Sequence, residues 1–382
     1  MFYAIFVSEK GIKMKKLLTR NGFREATFNR DSHKCVVCGN TKDLAAHHIL
    51  DRSLFEDGGY YVDNGATLCP DCHIQAENSM LTCEEIRELA NVAEVILPPN
   101  FNISMQVDKW GNEIVDKLMK YPSTRHIEGS GLQKGDSDDL VPFSDLEGKY
   151  LVSEEKIDGA NSGISFSDDC ELLLQCRGHY LTGKGDWPQF DQFKVWANTF
   201  KEQLFDTLSD RYIMYGEWMS AFHSIYYDLL PHFFMEFDIY DKKEKVFLDT
   251  NRRREIIEKS DVIIEPVRVL KKGVFESKED LMSLIGKSAF VSDNAYNDLS
   301  KVLKEKNIPE EQRKFLLNLN DRIMEGIYVK WEEDGIVKGR YKFVRSCFVQ
   351  TILSSGKHWA KRPHISNKLK DGFTLFDIGR RK

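Results

Sequence analysis

Apolar and polar positions change rhythm twice along this chain. Between about 150 and 240 the apolar residues fall in short runs broken by turn residues. Residues 150–155, 171–176 and 212–215 read as strands, as does the nearly all-apolar run 232–240. Residues 277–287 and 309–324 then take on helical spacing. Ser277 is placed to cap the first, and Pro309 followed by Glu310 and Glu311 suits the first turn of the second. Strands first, with helices inserted late, describe an α+β domain built on antiparallel sheets. The chain before it holds short elements only. The boundary lies between about 97 and 148: Pro98-Pro99-Asn100 opens it, a helix-like stretch at 112–120 follows, and a Gly/Ser/Asp-rich run at 128–139 ends it. This gives a small module at 1–97, a linker and entry segment at 98–147, and a larger domain at 148–382. There are no internal repeats and no low-complexity segments. Residues 1–7 are apolar but short, without a preceding basic stretch or a small-residue cleavage site, and read as an extra strand or an upstream extension.

Composition adds little until it is localised. The 41% hydrophobic and 30% charged residues are ordinary for a soluble protein. No apolar run approaches membrane-crossing length, so the expected location is cytoplasmic and no membrane partner is expected. The net charge of −6 gives no global basic field. From Lys330 to the end, however, thirteen Lys/Arg face five Asp/Glu, a local balance of 13 − 5 = +8. A basic end on an acidic protein points to a phosphate-binding surface, or to a solvated terminus. Of eight cysteines, four form two C-x-x-C pairs, Cys35/Cys38 and Cys69/Cys72. That spacing supplies four thiolates for a structural zinc ion rather than a disulfide framework. The remaining Cys83, Cys170, Cys176 and Cys347 read as scattered thiols.

The larger domain carries a series of short motifs. Glu155-Lys156-Ile157-Asp158-Gly159-Ala160-Asn161 lies on a turn after a strand. Arg177-Gly178, Tyr215-Gly216-Glu217, Phe233 to Tyr240, Glu325-Gly326-Ile327-Tyr328-Val329-Lys330 and Lys338-Gly339-Arg340-Tyr341-Lys342 follow in order. Each alone is weak. Together they resemble motifs I, Ia, III, IIIa, IV and V of the covalent nucleotidyltransferases, and within that superfamily the RNA ligase 2-like branch. The resemblance implies an ATP-dependent polynucleotide ligase with an antiparallel-sheet adenylyltransferase fold. In that role Lys156 attacks the α-phosphorus of ATP to form lysyl-AMP, AMP passes to a 5′-phosphate, and a 3′-hydroxyl closes the bond. A neutral amine is needed for the attack, and nearby cations such as Lys342 and Arg340 are expected to lower the lysine pKa and to neutralise phosphate charge.

The resemblance further assigns Glu217 to the nucleoside sugar and Glu325 to a divalent metal, Mg²⁺ or Mn²⁺. Phe237 is placed to stack on adenine. Arg177 falls near the sugar or the nucleic-acid end, and Asn161 serves the closing step. Lys330 is matched to a further phosphate contact, and Glu155 joins the nucleotide-binding set. Only forty residues follow Lys342 (382 − 342), too few for the five-stranded OB-fold that DNA ligases and capping enzymes append. Residues 355–363 and Asn367-Lys368-Leu369 instead resemble the ending of a bacterial and phage RNA ligase group. RNA is therefore the expected partner, with a DNA nick as the alternative; the sequence leaves oligomeric state open.

Residues from about 22 to 97 resemble an HNH module, a β-hairpin and helix around a metal. The likeness rests on Cys35-x-x-Cys38, His47-His48, Asn64 and Cys69-Pro70-Asp71-Cys72-His73. The resemblance implies a second metal site in which His47 and His73 are ligands and His48 is a general base. Glu77, four residues after His73, stands where many relatives have histidine, and on a helix the two share a face. Two readings stay open: a metal-dependent nuclease, and a finger that only delivers the ligase to its substrate.

Overall fold

The computed structural model describes residues 16–77, 81–99, 101, 107–111, 118–132, 136, 139–181, 188–319, 322–349 and 364–378. The apolar segment 1–7 and the tail motif at 355–363 lie outside these residues. Of the stretch 112–120 only 118–120 are described, and they are not helical. Two compact units emerge: Met1–Lys120 with Gln175–Trp187, and Tyr121–Leu174 with Pro188–Lys382.

In the first unit, α1 (Arg20–Arg30) starts where the Thr19 hydroxyl accepts from the Gly22 N–H at 3.1 Å, a side-chain cap. It packs on a hairpin of β1 (Ala45–His48) and β2 (Gly65–Leu68), paired antiparallel with His48 opposite Gly65. Gly65 is required there, since a Cβ would stand 2.6 Å from Thr27 Oγ1 and 2.7 Å from Phe23 Cε2. Helix α2 (Pro70–Glu77) begins on a proline, whose missing N–H costs nothing in a first turn. Helix α3 (Cys83–Leu89) opens with a capping box between Thr82 and Glu85. Ile49, Leu50, Ala66, Leu68, Ala76 and Ile86 make its buried core.

The second unit holds two sheets. Its strands are β3 (Arg125–His126), β4 (Leu151–Lys156), β5 (Ala160–Phe166), β6 (Leu172–Cys176), β7 (Tyr212–Trp218), β8 (Phe234–Asp241), β9 (Val246–Phe247), β10 (Glu265–Pro266), β11 (Val269–Gly273), β12 (Gly326–Glu333) and β13 (Ile336–Val344). One sheet runs β11-β4-β12-β13-β3. The other runs β10-β8-β7-β5-β6, with β9 on β8. Most pairings are antiparallel; the short β3 and β10 join in parallel. Helices α4 (Asp191–Thr199), α5 (Lys201–Leu208), α6 (Thr250–Glu258), α7 (Lys278–Met282), α8 (Ala295–Glu305) and α9 (Glu310–Leu319) are inserted between strands. The architecture is the α+β, antiparallel-sheet one expected.

Two elements are shorter than their spacing implied. Helix α7 stops at Met282 because the chain turns and reaches Gly286, then Lys287 bridges to Ile323. Helix α9 likewise ends at Leu319, ahead of the residues that make that bridge. Among the described residues no helix is long and apolar enough to cross a membrane.

Candidate active site and metal centres

The register of one sheet places most of the motif residues. On β4, β12 and β13 the pairs Lys156–Gly326–Val344, Glu154–Tyr328–Lys342 and Val152–Lys330–Arg340 stand in successive alternate rows. Side chains alternate faces along a strand, so rows two apart share a face. One face therefore presents Glu154, Lys156, Tyr328, Lys330, Arg340 and Lys342. Glu325, just ahead of β12, comes to the same place: Lys156 Nζ donates to Glu325 Oε2 at 2.6 Å. Gly326 must be glycine, because a Cβ would fall 1.9 Å from the Phe343 carbonyl oxygen.

The turn after Lys156 is built by its own residues. The Asp158 N–H donates to Tyr227 Oη at 2.9 Å, and its carboxylate accepts from the Ser224 N–H at 2.7 Å. A Cβ on Gly159 would meet Met219 Sδ at 2.6 Å and Glu217 Cγ at 2.9 Å, which explains glycine after Asp158. In the other sheet Asn161 on β5 lies directly opposite Glu217 on β7. Asn161 Oδ1 is buried and makes no hydrogen bond.

Carboxylates dominate the electrostatics. Burial disfavours the charged amine of Lys156, but Glu325, Glu217 and Asp158 outweigh burial and raise its pKa. This reverses the expectation that neighbouring cations lower it. The depressed lysine is instead Lys342, held down by burial and by the charge of Lys156 against the pull of Asp136, 3.4 Å away. Burial pushes Glu217 up to about 8, with Glu325 and Asp158 adding to the rise and Lys156 opposing it.

Three residues take positions that their motifs did not indicate. Lys330 is fully buried, its Nζ 2.8 Å from Glu154 Oε2 and 3.1 Å from Asp238 Oδ1, and it also donates to the Phe237 carbonyl. Arg340 stacks its guanidinium 3.9 Å over the Phe247 ring rather than reaching Lys156. The Glu155 side chain lies on the opposite face from Lys156, accepting hydrogen bonds from the Ser288 hydroxyl and the Ala289 N–H. Phe237 is half-buried, edge-on to Tyr121 with ring centroids 5.1 Å apart. Arg177 is exposed and belongs to the first unit.

Several contributors carry no motif. Arg253 on α6 is fully buried, 2.9 Å from Glu154 and 3.5 Å from both Glu236 and Asp238. Its only sequence signal is its spacing from buried Thr250, three residues before. Tyr121, which donates to Asp238, and Asp136 both come from the segment read as a linker.

In the first unit the sulfurs of Cys35, Cys38, Cys69 and Cys72 lie within 4.8 Å of one another, and Cys38 and Cys69 are 3.6 Å apart. Four thiolates at about 2.3 Å from a tetrahedral centre stand about that far apart, so the set fits zinc. A second cluster joins His47, His73 and Glu77 within the same span. His47 Nδ1 is 3.4 Å and His73 Nε2 3.1 Å from Glu77 Oε1. Burial alone would raise the Glu77 pKa; hydrogen bonds from His47, His73 and Lys109 reverse that and hold it well below the usual carboxylate range. Two imidazoles and a carboxylate suit a divalent ion. Both sites hang on α2, which carries Cys72 and His73 side by side.

His48 follows on the same strand. Its ring stacks on Phe23 at 4.5 Å and meets Tyr60 edge-on at 5.2 Å, while Nε2 is buried without a partner. Burial lowers its pKa to about 4, with Lys109 adding to the fall, so the ring is neutral. Asn64 fixes the strand: it accepts from the Leu50 N–H at 2.9 Å and donates to the Leu50 carbonyl at 3.1 Å. His47, His48, His73 and Glu77 line a cavity of about 660 Å³, whose wall also carries Arg20, Arg24, Arg52 and Lys109.

A family model described as RNA ligase matches residues 149–344, just over half of the chain, and one described as HNH endonuclease matches residues 35–79. Among solved structures the chain is similar to a Naegleria gruberi RNA ligase with PPi, at 14% identity over 78% of this chain and 75% of that one, with a TM-score of 0.39. A variant of that ligase with ATP and Mn is similar at 14% identity over 77% and 74%, with a TM-score of 0.37. A putative ATP-dependent DNA ligase from Aquifex aeolicus is similar at 18% identity over 60% and 51%, with a TM-score of 0.34. No curated protein matches the chain.

Proposed function

This chain belongs to the RNA ligase family, and on that premise we propose that it seals 3′-hydroxyl and 5′-phosphate RNA ends using ATP, with Lys156 as the nucleophile. The observation that carries the reading is the contact of Lys156 with Glu325 on a sheet face that also presents Lys342. The Lys156 amine attacks the α-phosphorus of ATP, a P–N bond forms, and pyrophosphate leaves with the electrons of the broken P–O bond. An oxygen of the RNA 5′-phosphate then displaces the lysine from AMP. Finally the 3′-hydroxyl attacks that 5′-phosphorus and AMP departs.

Glu325 is the residue that would hold a divalent ion, Mg²⁺ or Mn²⁺, beside the phosphates. When bound there, the ion would supply charge neutralisation for the phosphates, and Glu325, engaged by it, would hold the proton on the Lys156 amine less firmly. Lys342 is the residue of this chain that meets the phosphates. Glu217 takes the ribose, and Phe237 offers a ring to adenine. The unpaired Asn161 Oδ1 is free to serve the closing step. Arg177 acts on the nucleic-acid end. Lys330 works from beneath, fixing Glu154 and Asp238, and Arg340 from its stack on Phe247. Glu155 supports the strand that carries Lys156, held by Ser288 and Ala289.

A second activity has its own observation: the His47–His73–Glu77 cluster opens on a cavity walled by arginines. We read this module as a metal-dependent nuclease in which neutral His48 takes a proton from water.

A ligation panel tests the first reading, using nicked duplexes with RNA or DNA on each side of the nick. RNA 3′ ends should seal best, Asn161→Ala should still form lysyl-AMP but fail in closure, and equal sealing of all-DNA nicks would overturn the RNA preference. For the second, wild type should cut nucleic acid with Mn²⁺ and without ATP. His48→Ala should lose cutting and keep ligation, while absence of cutting on single-stranded, duplex and nicked substrates would leave the module as a binding finger.

A further inference from the structure

A carboxylate at position 77 brings a negative charge into the histidine cluster, and one lysine answers it. Lys109 Nζ donates to Glu77 Oε1 at 2.5 Å. The same oxygen lies 3.1 Å from His73 Nε2 and 3.4 Å from His47 Nδ1. Three nitrogens thus converge on one carboxylate oxygen, and one of them is a full cation. Lys109 is only 5% exposed and is anchored locally. Its carbonyl accepts from the Asp51 N–H at 2.9 Å, and its ammonium lies 5.2 Å from the centroid of the Trp110 ring.

A divalent ion and an ammonium compete for that oxygen, because at contact distance their like charges repel in a site of low dielectric. We propose that Lys109 is a built-in competitor for the metal of the His47–His73–Glu77 site, held on Glu77 until a divalent cation displaces it. The proposal rests on reading those three residues as a metal site. Displacement has somewhere to send the ammonium, since Lys109 lines the same cavity as Arg20, Arg24 and Arg52. Filling the site therefore adds a fourth positive group to a wall suited to a phosphodiester backbone. The module would thus bind metal weakly, and gain phosphate affinity when it does.

The test is Mn²⁺ titration of the full-length, zinc-loaded chain, with free Mn²⁺ read by electron paramagnetic resonance. Glu77→Ala identifies the component that belongs to this site and separates it from binding near Glu325. Lys109→Met keeps the length of the side chain and removes its charge, and should tighten the Glu77-dependent component by about tenfold or more. Lys109→Arg keeps the charge and should stay close to wild type. Retained zinc reports that each variant is folded. Equal or weaker Mn²⁺ binding by Lys109→Met would overturn the proposal while leaving the metal site standing. Absence of any Glu77-dependent component, in wild type and Lys109→Met alike, would remove the metal site itself and the proposal with it.

Discussion

Lys156 Nζ and Glu325 Oε2 meet at 2.6 Å because Lys156 ends one strand directly opposite Gly326, the first residue of its neighbour. The contact favours the protonated amine: burial lowers its pKa, yet Glu325 and the other carboxylates raise it by more. Glu325→Gln should therefore shift the amine to a lower pKa. The pH dependence of Lys156 acylation, followed by peptide mass spectrometry without nucleotide, should move to lower pH. In Lys156→Ala the modified peptide should vanish, together with acid-stable labelling of the protein by ATP. An unmoved midpoint would show that Glu325 does not govern this amine.

Glu217 gives a stability signature. Its folded pKa is raised to about 8 by burial, with help from Glu325 and Asp158. Above its unfolded pKa of about 4.3 the folded protein holds a proton that the unfolded chain has released. The stability this group contributes is thus full below that value and is lost as pH rises towards 8. Glu217→Gln cannot titrate. Its melting temperature, relative to wild type without nucleotide, should climb between pH 5 and 8 and then level off. A constant difference across that range would contradict the shift.

Lys330 separates structure from phosphate binding. It is enclosed between Glu154 and Asp238, so its loss leaves Arg253 as the one cation shared by the buried carboxylates Glu154, Glu236 and Asp238. Lys330→Met should cost about 3–5 kcal/mol in denaturant unfolding. If the unfolding midpoint stays put while ATP labelling is lost, the lysine touches phosphate directly.

The four thiolates should hold about one zinc per chain. Cys35→Ser should abolish that stoichiometry in metal analysis and expose Met1–Lys120 to proteolysis, because a hairpin and short helices bury little core of their own. Lys156 should remain reactive towards ATP. A zinc-free variant resistant to protease would show that the first unit folds without its metal.

Residues that act through their chemical type were legible in the sequence. Lys156, Glu217, Glu325 and Lys342 sit in short motifs whose glycines mark tight backbone, and Gly159 and Gly326 meet close neighbours as such motifs require. The cysteine spacing located the sulfur cluster in the same way. What escaped were partners brought together only by sheet register and packing. Arg253 looks like one of three arginines on a polar helix, and nothing nearby in sequence tells that its neighbours Arg252 and Arg254 are only half-buried while it is enclosed. Lys109 and Asp136 fall in segments read as linker, where charge is ordinarily solvated. Glu155 joined the nucleotide-binding set through its motif, yet strand alternation turns its side chain away from Lys156 to Ser288 and Ala289.

The middle strand of the sheet that carries Lys156 is made long after Lys156 itself. Strand β12 lies between β4 and β13, and it follows Lys156 by some 170 residues (326 − 156). A nascent chain can thus complete its cysteine-rich unit's first 120 residues long before Lys156 acquires Glu325, since domains fold as units in the order of synthesis. Truncated products that stop short of β12 would carry the lysine without its partner strand. Ribosomal stalling or proteolysis ahead of β12 would then leave the Lys156 amine without the carboxylate that raises its pKa.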